Sequence, residues 1–173
     1  VNPAMPIDRQ LQVQLIQARE NNGTNPATAF GNASQRLAIE NALDQIWAQA
    51  GIDVYVLPDV RFFDNSFTLG DNGAGGTRPT SDLGEILDEA EDEGVLNLGN
   101  VTNLVFVEHV PGFAASLSEN TSAGLAFVGA QGITMFVGDN LLTFANERDV
   151  VASGAAHEIG HNLVLKHFNK NDK

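Results

Sequence analysis

The hydrophobic pattern of the chain changes period several times, and each change marks an element. In residues 10–17, QLQVQLIQ, Leu11, Val13 and Leu15 fall on one side and glutamines on the other. That alternation of period two predicts a strand. The loop-like NNGTNPAT follows. Across residues 32–51, Leu37, Ala38, Ile39, Ala42, Leu43, Ile46, Trp47 and Ala50 mostly recur at three- and four-residue spacing, which predicts an amphipathic helix. Asn32 or Ser34 is placed to cap its start, and Gly51 suits a left-handed residue just past its end. IDVYVLP, residues 52–58, is β-branched and stopped by proline, as a strand would be.

RFFDNSFTL suggests a further short strand, followed by the turn-rich GDNGAGG at residues 70–76. Residues 81–94 predict a helix with Ser81 as N-cap, Gly94 as stop and an acidic solvated face. VTNLVFVEHV, residues 101–110, is nearly all apolar, the signature of a buried and parallel strand. AGLAFVG and GITMFVGD predict two more short strands joined by a hairpin or bulged turn at AQG. The last helix is expected to begin near Asn146, with Asp149 as a weak capping-box partner, and to run through ERDVVASGAAHEIGHNL. Helices separate the first three strands. The fold class is therefore α/β or α+β, with a mostly parallel sheet.

Composition narrows the functional classes. The 173 residues suit a single domain with one core. Nine basic against 22 acidic residues give a net charge of −13, which opposes nucleic acid or an anionic membrane as partner. No apolar run approaches the ~18 residues of a membrane span, and no cysteine is available for a disulfide or a thiolate metal site. The chain starts at Val1, as a processed or trimmed chain would. Calcium is a weak candidate at residues 70–76, whose oxygen ligands lack EF-hand spacing; a plain loop is favoured there. His109, at a strand end, is favoured as a satisfied structural histidine.

The chemistry lies in HEIGH, His157 to His161. On a helix, residues four apart share a face, so the two imidazoles can reach one zinc at about 2.0–2.1 Å. Glu158 is rotated by about 100° from His157, which frees it to act as general base on a water that the zinc activates. The competing reading is a pair of histidines that merely pack, but two histidines and a glutamate on an otherwise apolar helix are costly without a partner. Catalytic zinc usually takes three protein ligands. His167, ten residues after His157, would lie ~15 Å along a continuous helix and join the metal only if the helix ended near Leu163. The spacing matches HExxHxxGxxH, with Val164 where glycine normally makes the bend. A β-branched residue pays a marked penalty at positive φ. We expect the bend to survive with some strain and His167 to point at the metal.

TSAGLAFVGAQGITMFVGDN followed by VVASGAAHEIGHNLVLKH resembles the reprolysin (adamalysin-like) branch of the metzincin zinc metalloproteases. The resemblance is specific over residues 121–167 and covers most of the chain in layout. It implies a metzincin-like N-terminal subdomain: a twisted, mostly parallel five-stranded sheet with an antiparallel edge strand, two backing helices and a zinc-binding active-site helix. It implies a zinc metalloendopeptidase in which His157, His161 and His167 hold Zn2+ and Glu158 is the base. Leu125, Ala126, Phe127, Val128 and Gly129 would then form the edge strand that pairs with a peptide or protein substrate. An extracellular, bacterial-type setting is also implied. No methionine follows the motif, since Met5 and Met135 both precede it. Against the family pattern, residues 1–173 are expected to be a single catalytic domain lacking most of the C-terminal subdomain. The alternatives are a catalytically impaired binding or regulatory domain, and a zinc hydrolase with another third ligand, for which only Asp172 is available. Oligomeric state is not legible.

Overall fold

The computed structural model describes residues 6–24, 26–27, 32–64, 79–107, 124–126, 132–136 and 147–166. Among these residues, six strands and three α-helices follow one another as β1 (Arg9–Arg19), α1 (Ala33–Trp47), β2 (Ile52–Val56), β3 (Arg61–Asp64), α2 (Pro79–Asp92), β4 (Val101–Val107), β5 (Gly124–Ala126), β6 (Ile133–Phe136) and α3 (Glu147–Asn162). The strands form one sheet in the order β2-β1-β4-β6-β5. All neighbours are parallel except β5, which runs antiparallel to β6.

The sheet is the expected mostly parallel one, five positions wide. The sixth strand, β3, shares one flank of β1 with β2. Arg9 to Val13 pair with Ile52 to Val56, and Ile16 to Arg19 pair with Arg61 to Asp64. The break between them falls at Pro58, which cannot donate to the ladder. Gln14 bridges the gap, its Nε2 donating to Asp59 O at 2.5 Å and to Leu15 O at 3.1 Å. Arg19 closes the far end with an ion pair to Asp64, its guanidinium lying 4.2 Å from the Phe62 ring centroid.

The alternation in β1 puts glutamines on one side, and Val13 to Ala18 are all buried, Gln14 and Gln17 included. β1 lies inside the sheet, between β4 and the β2/β3 flank. β4 is buried along its whole length, as its apolar run predicts. Its one amide, Asn103, is satisfied by Asn97, donating to Asn97 O at 2.9 Å and accepting from Asn97 N at 2.7 Å. Each such apolar side chain contributes about 1.5–3 kcal/mol on burial.

α1 buries Ile39, Leu43 and Trp47, one residue per turn along a single stripe. Asn32 caps it, accepting from Gln35 N at 3.0 Å. A 3-10 turn over Ala48–Ala50 leads to Gly51 at φ 73, the predicted left-handed residue. α2 begins at Pro79, so Ser81 lies inside the helix rather than capping it. Proline is favoured in a first helical turn, where its missing N–H costs nothing. Gly94 ends the stretch as predicted, at φ 70. Val95 N donates to Ala90 O at 2.9 Å and Gly94 N to Glu91 O at 2.8 Å, the paired bonds of a Schellman cap.

α1 also guards the β2 edge. Asp44 accepts from Val54 N at 2.6 Å, and Glu40, one turn earlier, accepts from Val56 N at 3.4 Å. Edge N–H groups occupied in this way cannot recruit another strand. Burial holds the Asp44 carboxyl above its ordinary value of 3.8; the Val54 bond opposes the shift and nearby Asp53 adds to it. A raised folded value means that the folded chain takes up this proton at higher pH than the unfolded chain. Charged Asp44 therefore costs stability above its folded pKa, and the cost fades as pH falls towards 3.8. Asp44→Asn keeps an acceptor for Val54 and removes the charge. Urea unfolding should show the variant more stable than the parent at neutral pH, with the gap closing as pH falls. A variant less stable at neutral pH would show that the charged hydrogen bond outweighs the burial.

Candidate metal centre

α3 is where the sheet and the chemistry meet. It packs on α1 and on β5 and β6. Its inner face is mostly small: Val151, Ala152, Ala155, Ala156 and Ile159 are buried. That lets α1 and the sheet close tightly on this side and turns His157 outward, exposed, with His161 half-buried one turn on. The two ring centroids are 4.8 Å apart and the rings stand at 86°. Glu158, the next residue around the helix, is buried at 8% exposure. It has an interaction partner within the protein.

Both histidines open onto a cleft of about 850 Å³. α1 supplies Ile46 and Trp47 to its wall, and α3 with its terminal turn supplies Ser153, Gly160 and Leu165. Glu158 does not line this cleft. Gly160 faces Trp47 and Leu165 without crowding, because a Cβ placed on it would lie 3.5 Å from Leu165 Cδ1 and 3.9 Å from Trp47 Cη2.

The helix ends where the histidine spacing requires. Its last residue is Asn162, and Val164 has φ 71, the one positive φ at a non-glycine position among the described residues. Leu165 N donates to Gly160 O at 2.8 Å and Val164 N to His161 O at 2.9 Å. These are the same two Schellman bonds that Gly94 makes at the end of α2, here with valine in the left-handed place. The expected strained bend is present. His167, which was expected to follow it to the metal, lies outside the described residues, as do His109, Phe127, Val128 and Gly129.

Two contacts made by this last turn were not foreseen. Leu165 O lies 2.8 Å from His161 Nδ1. A carbonyl only accepts, so Nδ1 is the donor in this contact, and in the neutral ring Nε2 is then the nitrogen that a metal could take. Asn162 grips Gly132 at the start of β6, accepting from its N and donating to its O, both at 3.2 Å. The first contact has no sequence signal, since its acceptor is backbone. The second had one, a polar residue beside the motif on a helix that must otherwise be buried.

Two imidazoles on one face of a helix, one with a backbone carbonyl 2.8 Å from its Nδ1, are a donor set that suits zinc. Among the described residues no three His, Asp or Glu side chains gather as a cluster.

The fold is one shared with solved structures at low sequence identity. The archaemetzincin of Methanopyrus kandleri matches with a TM-score of 0.55 and 16% identity, over 93% of this chain and 77% of that one. The archaemetzincin of Archaeoglobus fulgidus, complexed with malonate, matches at 0.47 and 22% identity, over 94% and 82%. Metalloproteinase-II of Bacteroides fragilis matches at 0.49 and 14%, over 98% and 49%. No protein-family model and no curated protein sequence matches the chain.

Valine in a left-handed turn costs about 1–2 kcal/mol. The Val164 side chain is 62% exposed, so little packing offsets that cost. Glycine returns part of the gain through its freer unfolded state. Val164→Gly should therefore stabilise the protein by about 1 kcal/mol, raising Tm by about 2–4 °C. An unchanged or lower Tm in calorimetry would mean that the turn is not strained.

Proposed function

We propose that the chain is a zinc-dependent metalloendopeptidase of the metzincin type. The observation that carries the reading is the outward pair His157 and His161, rings 4.8 Å apart, on the helix that lines an open cleft. The fold shared with the Methanopyrus archaemetzincin supports it. In this reading His157 and His161 hold zinc with His167 as third ligand. A zinc ion there supplies Lewis-acid polarisation of a substrate carbonyl and acidifies water. Glu158 takes the proton and passes it towards the leaving amine. Residues 125–129 are the edge strand that binds an extended peptide by main-chain hydrogen bonds; among the described residues β5 pairs only with β6. The assignment to the reprolysin branch, and with it an extracellular setting, rests on the GLAFVG and HEIGHNLVLKH sequences. The calcium candidate, residues 70–76, lies outside the described residues.

A second reading is a metal-binding module without peptidase activity. The burial of Glu158 away from the cleft favours it. One assay separates the two. Hydrolysis of unstructured protein substrates should require zinc and fall about 10²–10⁴-fold in Glu158→Ala, the range expected on removing a general base. Zinc content should stay near one per chain in that variant and drop in His157→Ala. Equal hydrolysis in wild type and Glu158→Ala would exclude Glu158 as base, and bound zinc without hydrolysis would favour the second reading.

A further inference from the structure

We propose that the left-handed turn at Val164 is a positioning device for His161: it carries the Leu165 carbonyl back to the imidazole and thereby selects the tautomer that presents Nε2 to a metal. The inference rests on the zinc reading above for its purpose, but not for its geometry.

In a continuing helix the carbonyl of residue 165 would point along the axis towards residue 169, whereas the side chain of residue 161 leans towards the N-terminus. The two could not meet. They meet here because Val164, at φ 71, reverses the chain directly after the helix. Leu165 N is then fixed to Gly160 O at 2.8 Å, and Leu165 O is brought 2.8 Å from His161 Nδ1. The same turn presses the Leu165 side chain over Gly160, where its Cδ1 stands 3.5 Å from the place a Cβ would occupy. Leu165 is thus held on both its N–H and its carbonyl side. Most metal-binding histidines have a partner of this kind on the other ring nitrogen, and losing it typically weakens metal binding 10–100-fold. A free imidazole in water favours the opposite tautomer, with the proton on Nε2. Without the carbonyl, the metal would have to shift that proton before it could bind.

The chain contains its own control. Gly94 makes the same cap at the end of α2 with no strain and no histidine at the equivalent place, because residue 91 is a glutamate. The cap geometry is therefore generic. What α3 adds is a histidine three residues before the left-handed position, so that the cap carbonyl becomes its partner.

The test uses the full chain, zinc-free and labelled with ¹⁵N, and reads ring tautomers from long-range proton–nitrogen correlations at a pH where His161 is neutral. Wild type and Val164→Gly should both show His161 protonated at Nδ1. Val164→Pro, whose ring excludes positive φ and removes the N–H that bonds to His161 O, should shift His161 towards the Nε2-protonated form. Zinc affinity, measured by competition with a chromophoric chelator, should fall 10–100-fold in Val164→Pro and hold within about 2-fold in Val164→Gly. Protonation at Nε2 in the zinc-free wild type overturns the proposal and needs no variant to read. Retention of the Nδ1 form and of affinity in Val164→Pro overturns it as well. Protonation at Nδ1 in a protein that binds no zinc would uphold the turn's control of the ring and reject the metal reading instead.

Discussion

The close fit of α3 against α1 and the sheet is the constraint from which the rest follows. Alanines 152, 155 and 156 with Ile159 make that face narrow and dry. A polar side chain on it would lose its water without a partner, at a cost of roughly 1–3 kcal/mol or more. His157 and His161 occupy the other side of the cylinder, so burial of the alanines settles where the imidazoles point. The cleft follows from the same contact. α1 reaches past the seam with Ile46 and Trp47, and these side chains make the apolar wall beside the histidines.

The end of α3 is fixed by backbone chemistry rather than by side-chain packing. A helix leaves its last carbonyls unpaired, and a left-handed residue lets the following N–H groups return to them. α2 does this with glycine and α3 with valine. The bonds are alike, but the valine holds strain in a turn that also touches His161. Strain of this kind persists only where surrounding contacts enforce it. Here the two cap bonds, the Leu165 contact over Gly160 and the Asn162 grip on Gly132 do so together.

Much of this was legible in the sequence where a single local rule decides. A cap at Asn32 or Ser34, Gly51 as a left-handed residue, Gly94 as a stop, and the nearly all-apolar β4 were each written in a few neighbouring residues. So was the histidine pair, since a spacing of four has one meaning on a helix. The need for a bend at Val164 came from the distance between His157 and His167 along a continuous helix and went against the preference of the residue itself. What was hidden depended on distant partners or on backbone atoms. The alternation of β1 set glutamines on one side but could not report that Gln14 and Gln17 are buried. β3 was uncertain because Pro58 ends one pairing, and nothing local says that a second resumes on the same flank. The carbonyl of Leu165 belongs to any residue type and leaves no trace in a sequence.

The central claim is that the outward face of α3 is a metal site built on histidine. X-ray absorption at the zinc edge, on protein loaded with one equivalent of zinc, tests it most directly. The account predicts a shell containing at least two imidazole nitrogens at about 2.0–2.1 Å, with the outer-shell scattering typical of histidine rings. A shell of oxygen alone, as expected for zinc held loosely by the acidic surface of a chain with net charge −13, would contradict it.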